Sequence, residues 1–444
     1  MLFKPSRRAV LAGAATLAAP RALIAQSAAF DVDVVVVGAG AAGLAAAREL
    51  QALGKRFALI ESRDRVGGRL HTDVSLGAPF DAGALYIHWA ERNPWTEAGR
   101  ALGVELRSDR GGGGGPFRLF ENGRPVPDSE RGKRRAAFRA LSRALDESQT
   151  APDVSIVARV AEFGPDVVAA ASGMTRLSLG EEPERVSALD YARLWSGEDL
   201  LAPAGYGALA ERFAAGLPVS LSTPATAIDW SGPGVVVTTP KGAISARRAI
   251  VTLPVGVLIE ESVRFAPRLP DATLAALEGL EMGVLAKIAL RFDGARFDVP
   301  ANTDIFEVRG PRVTYDFECW PFERDIVIAY LGGDHARQVV GLGEADAVAH
   351  VLDVFATLVG PEARRRFVAG RMRGWIDDPH ALGAYSHALP GRAGARAALA
   401  QPVAGRLWFA GEATGGQGGD FGGAMTAGGA FLAGRDAARA AAMG

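Results

Sequence analysis

Residues 32 to 61 read as a complete strand–helix–strand unit. The run VDVVVV, from Val32 to Val37, is followed by the sequence GAGAAG, a helical stretch LAAARELQALG and a second strand-like run RFALIE. A continuous β-branched run is typical of a strand that is covered on both faces, as in a parallel sheet with helices on either side. The pattern predicts an α/β fold with a Rossmann-like nucleotide-binding domain.

Three glycines and one acid within this unit predict a dinucleotide site. Gly38 permits the tight turn, Gly40 lets the backbone approach a pyrophosphate, and Gly43 lets the helix pack closely on its strand. Glu61, at the end of the second strand, is placed to accept hydrogen bonds from ribose hydroxyls and disfavours a 2′-phosphate. The alternative, a plain strand–helix turn, does not account for the correctly spaced acid.

Composition narrows the function classes. The 444 residues carry 49 Lys and Arg against 50 Asp and Glu, so the net charge of −1 provides no field that would recruit nucleic acid. Hydrophobic residues at 48% indicate a chain that folds. Cys319 is the single cysteine, which excludes an intramolecular disulfide and a cysteine-cluster metal site. No metal is expected.

The first 29 residues are predicted to be a twin-arginine signal peptide. The Arg pair in SRRAVL precedes an apolar run from Ala9 to Ala19, which is shorter than the ~20 residues that a membrane-spanning helix needs. A periplasmic or secreted protein without a membrane span is therefore expected. The alternative is an N-terminal amphipathic helix that contains an Arg pair by chance.

The nucleotide-binding domain is predicted to be discontinuous, with an α+β substrate-binding domain interleaved. Short β-branched runs between Pro218 and Val257 lead back to the main sheet, and the C-terminus reads as strand, glycine-rich turn and helix. The stretch from Glu130 to Ser148 has helical spacing, and its basic face is interpreted as solvated surface. The predicted bounds are 30–90, 203–285 and 396–444 for the nucleotide domain, and 91–202 and 286–395 for the substrate domain.

Two further blocks resemble the flavin-containing amine oxidase family, which includes monoamine and polyamine oxidases. They are RDRVGGR at residues 63–69 and FAGE at residues 409–412. The resemblance implies FAD rather than NAD, with the isoalloxazine ring between the two domains. It implies that Arg69 neutralises the pyrophosphate and that Gly411 and Glu412 contact the ribityl and phosphate end. The remaining predicted cofactor contacts are Arg63, Gly68 and Ala225.

Three residues are predicted to surround the reacting carbon. Lys287 is a lone cation in the apolar run EMGVLAKIALRF, and it resembles the family's lysine that holds a water at the flavin's reactive nitrogen. A lysine that snorkels to the surface is the alternative. By the same resemblance Trp375 lies beside the ring, and Tyr385 forms a wall that encloses an amine and excludes water. Ala384 stands where covalent monoamine oxidases have a cysteine, so FAD is expected to be held non-covalently.

The second aromatic wall departs from the family pattern. In GGDFGGAMTAG, Asp420 aligns with that wall and Phe421 follows it. Either Phe421 takes the place of the wall, or the Asp420 carboxylate pairs with a substrate ammonium. His88 matches the active-site histidine of polyamine oxidases, with a purely structural histidine as the alternative. Tyr86 stands where L-amino-acid oxidases usually carry an arginine, which argues against amino-acid substrates.

The resemblance implies that a hydride moves from the carbon next to an amine nitrogen to FAD, giving an imine and then an aldehyde. Oxygen is the expected acceptor, with peroxide as product. The alternatives are an exported dehydrogenase that uses a quinone or a redox protein, an L-amino-acid-oxidase-like enzyme, a desaturase and a non-enzymatic flavin-stabilised binding protein. The sequence does not distinguish mono-, di- and polyamines, and it does not indicate an oligomeric state.

Overall fold

A computed structural model describes residues 30–108, 116–416 and 418–443. The predicted signal peptide lies outside the described residues. The strands, in chain order, are β1 (Val32–Val37), β2 (Phe57–Ile60), β3 (Thr72–Asp73), β4 (Phe80–Asp81), β5 (Arg107–Ser108), β6 (Phe117–Glu121), β7 (Arg124–Pro125), β8 (Leu200–Leu201), β9 (Val219–Ser220), β10 (Ala227–Asp229), β11 (Val235–Thr239), β12 (Gly242–Val251), β13 (Arg264–Ala266), β14 (Leu280–Met282), β15 (Leu285–Phe292), β16 (Thr303–Arg309), β17 (Val313–Cys319), β18 (Ile326–Gly332), β19 (Phe367–Arg373), β20 (Ser386–Ala388) and β21 (Leu407–Phe409).

Helices cover both sheets and close the chain. They are α1 (Ala41–Ala52), α2 (Pro94–Ala101), α3 (Asp128–Asp146), α4 (Ile156–Val160), α5 (Pro165–Met174), α6 (Ala188–Ala192), α7 (Tyr206–Ala214), α8 (Val255–Ile259), α9 (Asp271–Glu278), α10 (Gly333–Val340), α11 (Glu344–Val359), α12 (Glu362–Arg366), α13 (Ala395–Leu399) and α14 (Ala427–Met443). A π-helical turn, Thr175–Leu179, follows α5. None of the helices in these described ranges is long and apolar enough to cross a membrane.

The first sheet carries the predicted Rossmann-like unit. Its strand order is β13-β10-β11-β12-β1-β2-β9, and β21 also pairs with β12. Strand β1 runs parallel to β2 on one side and to β12 on the other. The four valines from Val34 to Val37 are buried, as expected for a strand that is covered on both faces. The α/β class and the Rossmann-like domain are confirmed.

Helices α1 and α14 pack together over this sheet. Alanine and glycine line their contact, and a Cβ added to Gly434 of α14 would lie 2.0 Å from the Ala42 carbonyl oxygen. Such small residues allow two helices to approach closely. Because α14 comes from the end of the chain, the first sheet and its cover combine segments that are distant in sequence. Trp95 of α2 is also fully buried in this core, although α2 was predicted to belong to the substrate domain.

The second sheet has the order β19-β15-β18-β17-β16-β6-β7. Strands β15 to β18 pair antiparallel, and one face of the sheet packs on α10 and α11 around Phe292, Phe317 and Phe355. Side chains of the other face line the cavity described below. The domain bounds themselves stay a prediction, but apart from Leu285, the first residue of β15, the strands of each sheet come from the segments that were predicted for that domain.

Candidate active site

A single cavity of 2620 Å³ joins the glycine-rich turn of the first sheet to the open face of the second. Small-molecule sites are usually ~300–1,000 Å³, so this volume has room for a dinucleotide and a second ligand. Most of the predicted site residues line it together: Gly38, Gly40, Glu61, Arg63, Gly68, Arg69, His88, Ala225, Lys287, Trp375, Tyr385, Gly411 and Glu412. Residues that are nearly 400 positions apart in the sequence therefore line the same cavity.

The glycine-rich turn has the geometry that its sequence predicts. Gly38 has a φ of +102°, and a Cβ added to it would lie 2.5 Å from Thr252 Oγ1. A Cβ on Gly43 would lie 1.8 Å from the Gly38 carbonyl oxygen, so only glycine allows α1 to approach the turn. Gly40 caps α1 without a side-chain hydrogen bond, which leaves the first N–H groups of this helix to a ligand.

A second glycine pair closes the same turn. Gly67 pairs with Gly40 in a parallel bridge, and the Gly67 N–H donates to the Ala39 carbonyl at 2.9 Å. Gly68 has a φ of +59° and its open side faces Gly40, where an added Cβ would lie 3.3 Å from the Gly40 Cα. The two glycine loops thus form one bare backbone surface at the N-terminus of α1.

Glu61 is buried at the carboxyl end of β2. Its carboxylate accepts hydrogen bonds from the Ala39 N–H at 2.7 Å and the Arg63 N–H at 2.9 Å, while one edge lines the cavity. These bonds fix the carboxylate beside the turn. A carboxylate held in this position can accept hydrogen bonds from ribose hydroxyls.

Arg69 and Glu412, which both line the cavity, form an ion pair. Arg69 Nη1 donates to Glu412 Oε1 at 3.1 Å and to the Ala384 carbonyl at 2.7 Å. Glu412 also accepts from the Ser386 hydroxyl at 2.8 Å. Arg69 thus contacts both Glu412 of the FAGE block and Ala384, the residue before Tyr385. This ion pair therefore links the predicted cofactor side of the cavity to the predicted substrate side.

Lys287 lies in β15 with 5% of its surface exposed. Its Nζ donates to the Asp81 carbonyl at 2.8 Å and the Gly83 carbonyl at 2.7 Å, which leaves a third N–H for a water or ligand. Burial lowers the pKa of Lys287 to about 8, and the charges of Asp81 and Glu318 partly oppose that shift. The snorkelling alternative is excluded because the side chain is buried.

Trp375 is buried beside the cavity and is held from three sides. Its Nε1 donates to the Ala82 carbonyl at 3.0 Å, and the guanidinium groups of Arg63 and Arg373 lie 6.0 Å and 5.1 Å from its ring. Arg63 in turn makes a two-point ion pair with Asp378, at 2.8 Å and 2.7 Å. The indole therefore has a fixed orientation.

Tyr385 and His88 also face the cavity. The Tyr385 hydroxyl donates to the Ser178 carbonyl at 3.0 Å, inside the π-helical turn, and burial raises the pKa of this phenol. His88 Nδ1 lies 3.0 Å from Asp199 Oδ1, and its ring lies 5.5 Å from that of Tyr86. Both residues are placed to contact a bound molecule.

Asp420 and Phe421 are the predicted site residues that the structure does not bring to the cavity, since neither is among its lining residues. Asp420 is exposed, and its carboxylate accepts from the Trp195 indole N–H at 3.0 Å and the Gly422 N–H at 2.9 Å. Both oxygens of this carboxylate therefore accept an N–H of the protein itself. The aromatic ring that does line this side is Trp195, and a Cβ added to Gly422 would lie 2.2 Å from its indole.

Sequence reasoning missed Trp195 and Tyr330. Trp195 follows a segment with no motif, and it reaches the cavity only because Gly422 leaves space for its indole. Tyr330 lies in β18 directly opposite Lys287, and its ring centroid lies 5.1 Å from Lys287 Nζ. The run IVIAYLG could have indicated a strand, but the partner of that strand follows from tertiary pairing alone.

The residues present fit a flavin dinucleotide. The bare glycine surface and the N-terminus of α1 suit the pyrophosphate, Glu61 suits a ribose, and the Lys287–Trp375 side lies further along the same cavity. A model of the flavin containing amine oxidoreductase family matches residues 41–442. The chain belongs to this family.

Relatives agree with the family assignment. The chain is 30% identical over 417 residues to polyamine oxidase 4 of Oryza sativa subsp. japonica, covering 86% of the chain and 83% of that protein. It is 27% identical over 424 residues to human lysine-specific histone demethylase 2, covering 86% of the chain but spanning only 50% of the demethylase.

Solved structures show the same fold. Cyclohexylamine oxidase from Brevibacterium oxydans superposes with a TM-score of 0.77 at 22% identity, covering 93% of this chain and 99% of that one. Wild-type putrescine oxidase bound to putrescine gives a TM-score of 0.75 at 19% identity, with coverage of 92% and 98%. As a member of the amine oxidoreductase family, the chain is an FAD-dependent oxidoreductase that acts on CH–NH groups.

Proposed function

We propose that the protein is an amine oxidase that converts an amine to an imine, which water hydrolyses to an aldehyde. The observation that carries this proposal is the continuity of the cavity, which joins the dinucleotide turn at Gly40 to the buried Lys287 and Trp375 and the half-buried Tyr385. FAD held at this turn would supply the redox chemistry: it would take a hydride from the carbon next to the nitrogen and pass two electrons to oxygen, which with two protons leaves as hydrogen peroxide.

The chain's own residues hold the cofactor at one end of the cavity. Gly38, Gly40 and Gly68 present backbone to the pyrophosphate, and Glu61 accepts from the ribose. Arg69 supplies a positive charge opposite the phosphate end, with Gly411 and Glu412 beside it. Because Cys319 is the single cysteine and is buried in the second core, no cysteine is available for a thioether bond, which supports non-covalent attachment.

Aromatic walls prepare the amine for reaction. The nitrogen lone pair must be free, although a free alkylamine has a pKa of ~10 by analogy with lysine. Burial between the rings of Trp375, Tyr385 and Trp195 disfavours the charged form, and desolvation lowers such pKa values by up to ~3–5 units. The walls also exclude bulk water until the imine has formed.

The Lys287 ammonium group is held in a fixed position and can gain or lose a proton there. Two of its N–H groups are bound to the Asp81 and Gly83 carbonyls, so Nζ can present only one N–H or a lone pair toward the cavity. Because the pKa of Lys287 is about 8, both protonation states are populated near neutral pH. The group can therefore position a water for imine hydrolysis, or place a positive charge where oxygen is reduced.

Two proposals concern the cellular setting. The Arg pair and short apolar run before residue 30 support export by the twin-arginine route, which carries folded proteins and would allow FAD to be bound before export. Oxygen is proposed as the acceptor, with a quinone or a redox protein as the rival acceptor.

The test is anaerobic mixing of the purified yellow protein with mono-, di- and polyamines, followed by admission of oxygen. Loss of oxidised flavin absorbance with at least one amine, and one peroxide per aldehyde after oxygen is admitted, is the expected result. A protein that binds no flavin, or whose flavin no amine reduces, contradicts the proposal. Reduction by an amine followed by slow peroxide formation and rapid reoxidation by a quinone would instead identify a dehydrogenase.

A further inference from the structure

Glu181, Glu281 and His387 bring three metal-ligating side chains together outside the cavity. One ligand atom from each, a carboxylate oxygen or a ring nitrogen, lies within 4.8 Å of the other two. Glu281 of β14 and His387 of β20 lie directly opposite each other in an antiparallel pair, so their side chains share one face. Glu181 comes two residues after the π-helical turn. None of these three residues lines the cavity.

His387 is a buried polar side chain without a partner. It has 0% of its surface exposed, and neither ring nitrogen makes a hydrogen bond within the ranges that the structure describes. Its Nε2 lies 3.9 Å from Glu281 Oε2, which is too far for a hydrogen bond. A buried polar group left in this state costs about 1–3 kcal/mol. A cation bound between Nε2 and the two carboxylates would offset this cost.

Glu181 is fully buried and keeps a lone pair for a further ligand. Its Oε1 accepts from Arg185 at 2.8 Å and from Arg337 at 3.1 Å, and its Oε2 accepts from Arg337. Each carboxylate oxygen has two lone pairs, so Oε2 can also bind an ion. Both arginines are paired with Asp334 as well, at 2.6 Å and 3.0 Å. These four charges cancel, and Glu281 leaves the cluster with a net negative charge.

The ligand types indicate which class of ion fits. An imidazole with two carboxylates suits Zn²⁺ and neighbouring transition metals, whereas Mg²⁺ and Ca²⁺ prefer oxygen ligands alone. Tetrahedral Zn²⁺ with bonds of ~2.0–2.1 Å holds its ligand atoms ~3.4 Å apart, so the widest separation here would have to close by roughly 1.4 Å. Glu281 can close it by rotation because 48% of its side chain is exposed. The same exposure lets an ion, and a water as fourth ligand, enter from solvent.

We propose that Glu181, Glu281 and His387 bind one divalent transition-metal ion of the Zn²⁺ class. The ion lies outside the cavity and takes no part in amine oxidation. Its role is to join the end of the π-helical turn to strands β14 and β20. The inference goes beyond the proposed function and does not depend on it.

The three segments joined by the ion also position Tyr385. This residue directly precedes β20, and its hydroxyl donates to the Ser178 carbonyl in the π-helical turn. Its own carbonyl accepts from the Gly283 N–H at 2.8 Å, just after β14. A Cβ added to Gly283 would lie 2.4 Å from the Leu179 carbonyl oxygen, so β14 and the turn are in close contact. A bound ion therefore stabilises the backbone behind one wall of the cavity.

The test is calorimetric titration of the untagged, metal-free holoenzyme with Zn²⁺. The wild type is expected to bind one Zn²⁺ per chain and to bind Ca²⁺ at least about tenfold more weakly. Glu281→Gln removes a charged ligand at an exposed position and should lower the Zn²⁺ affinity by at least about tenfold, since even residues that only orient ligands contribute 10- to 100-fold. Glu278→Gln, at an exposed acid of α9, is the matched control and should keep the wild-type affinity.

Thermal unfolding gives a second readout. Because the ion binds the folded chain, the unfolding temperature of the wild type should rise with Zn²⁺ concentration. Glu281→Gln and His387→Gln should each lose most of that rise. Should His387→Gln not fold, X-ray absorption at the zinc edge of the wild type decides. One imidazole with oxygen ligands at ~2.0–2.1 Å supports the site, and a shell of oxygen alone overturns it.

The titration separates a built site from surface binding. If no Zn²⁺ binds, or if Glu281→Gln binds it as tightly as the wild type does, the site is wrong. Several zinc ions per chain with the same affinity in Glu281→Gln would show adventitious binding and would also overturn it. Reduction of the flavin by amines is measured separately, so an active oxidase that binds no zinc contradicts this inference and leaves the proposed function intact.

Discussion

Trp375 and Lys287 donate to three consecutive carbonyls at the end of β4 and just after it. Lys287 Nζ binds the carbonyls of Asp81 and Gly83, and Trp375 Nε1 binds that of Ala82 between them. One short backbone segment therefore fixes the separation of the cation and the indole. This segment belongs to the glycine-rich stretch FDAGALYIHW, which also contains His88. The positions of Lys287, Trp375 and His88, three predicted site residues, therefore all depend on this stretch.

The titration of Lys287 predicts a pH dependence of the reaction with oxygen. Burial places its folded pKa at about 8, below the ordinary value of 10.5, so Nζ is protonated below about pH 8 and neutral above it. A positive Nζ stabilises the negative charge that oxygen gains. The second-order rate constant for oxygen, measured by stopped flow on the reduced enzyme, should therefore be highest below pH 8 and fall as pH rises through 8.

Removing the ammonium should abolish that dependence. Lys287→Met is expected to lower the rate constant by about 100-fold, the scale of losing one charge-stabilising donor, and to leave it flat between pH 7 and about 9. Lys241→Met, at an exposed lysine outside the cavity, is the control. If Lys287→Met kept the wild-type rate and the wild-type fall near pH 8, another group would carry the charge.

Local patterns predicted the cofactor half of the molecule well. The run from Val32 to Val37 matches β1, Glu61 follows β2 directly, and Lys287 lies in a strand, because each position depends on burial and turn chemistry that neighbouring residues determine. The close approach at Gly43 follows from the spacing of the turn itself. These features are expected in any fold that contains the same strand–helix–strand unit.

The residues on the substrate side of the cavity are brought together by contacts between segments that are distant in sequence. No local sequence pattern indicates those contacts. Phe421 was predicted as the second wall, or Asp420 as a partner for a substrate ammonium, from alignment alone, yet neither lines the cavity and Trp195, more than 200 positions earlier, does. Lys287 and Tyr330 line the cavity side by side because β15 and β18 pair in one register. A one-residue slip would turn these side chains to the other face, and the sequence does not indicate the pairing.

The glycine turn predicts a contrast between two alanine substitutions. Gly43→Ala places a Cβ 1.8 Å from the Gly38 carbonyl oxygen, so the turn must open; it should destabilise the fold by about 1–3 kcal/mol, as overpacked cores do, and reduce flavin retention. In Gly40→Ala the new Cβ would lie 3.8 Å from the nearest atom, the Gly67 oxygen. This variant should fold but bind FAD weakly.

Thermal unfolding with and without added FAD measures both effects. Gly132→Ala is the control, because its Cβ would meet nothing within 4 Å on α3 and should stabilise the helix slightly. If Gly40→Ala and Gly43→Ala lost equal stability without FAD, the predicted contrast would be wrong. Both glycines would then be needed for packing, and Gly40 would not serve only the approach of the phosphate.

Glu61→Gln should weaken FAD binding without unfolding the protein. Glutamine keeps one acceptor oxygen for the Ala39 or Arg63 N–H but loses the charge and the second acceptor that a ribose hydroxyl would use. The dissociation constant of FAD, measured by recovery of flavin fluorescence on dilution, is expected to rise about tenfold. Asp64→Asn changes an exposed acid three positions away and should have no effect; an equal rise there would indicate a nonspecific charge effect.

The position of Trp195 predicts which residue forms the second wall. Trp195→Ala removes the ring that lines the cavity beside Gly422, so the amine would be less desolvated and KM for a monoamine should rise by about tenfold, the scale of one lost cation–π or aromatic contact. Gly422→Ala should have a similar effect, because its Cβ would lie 2.2 Å from the indole and displace it. Asp420→Asn keeps an acceptor for the Trp195 N–H, at present 3.0 Å from Oδ2, and should leave KM nearly unchanged. A large rise in KM for diamines in Asp420→Asn, with little change in Trp195→Ala, would restore the ammonium-pairing role to Asp420 and contradict the wall described here.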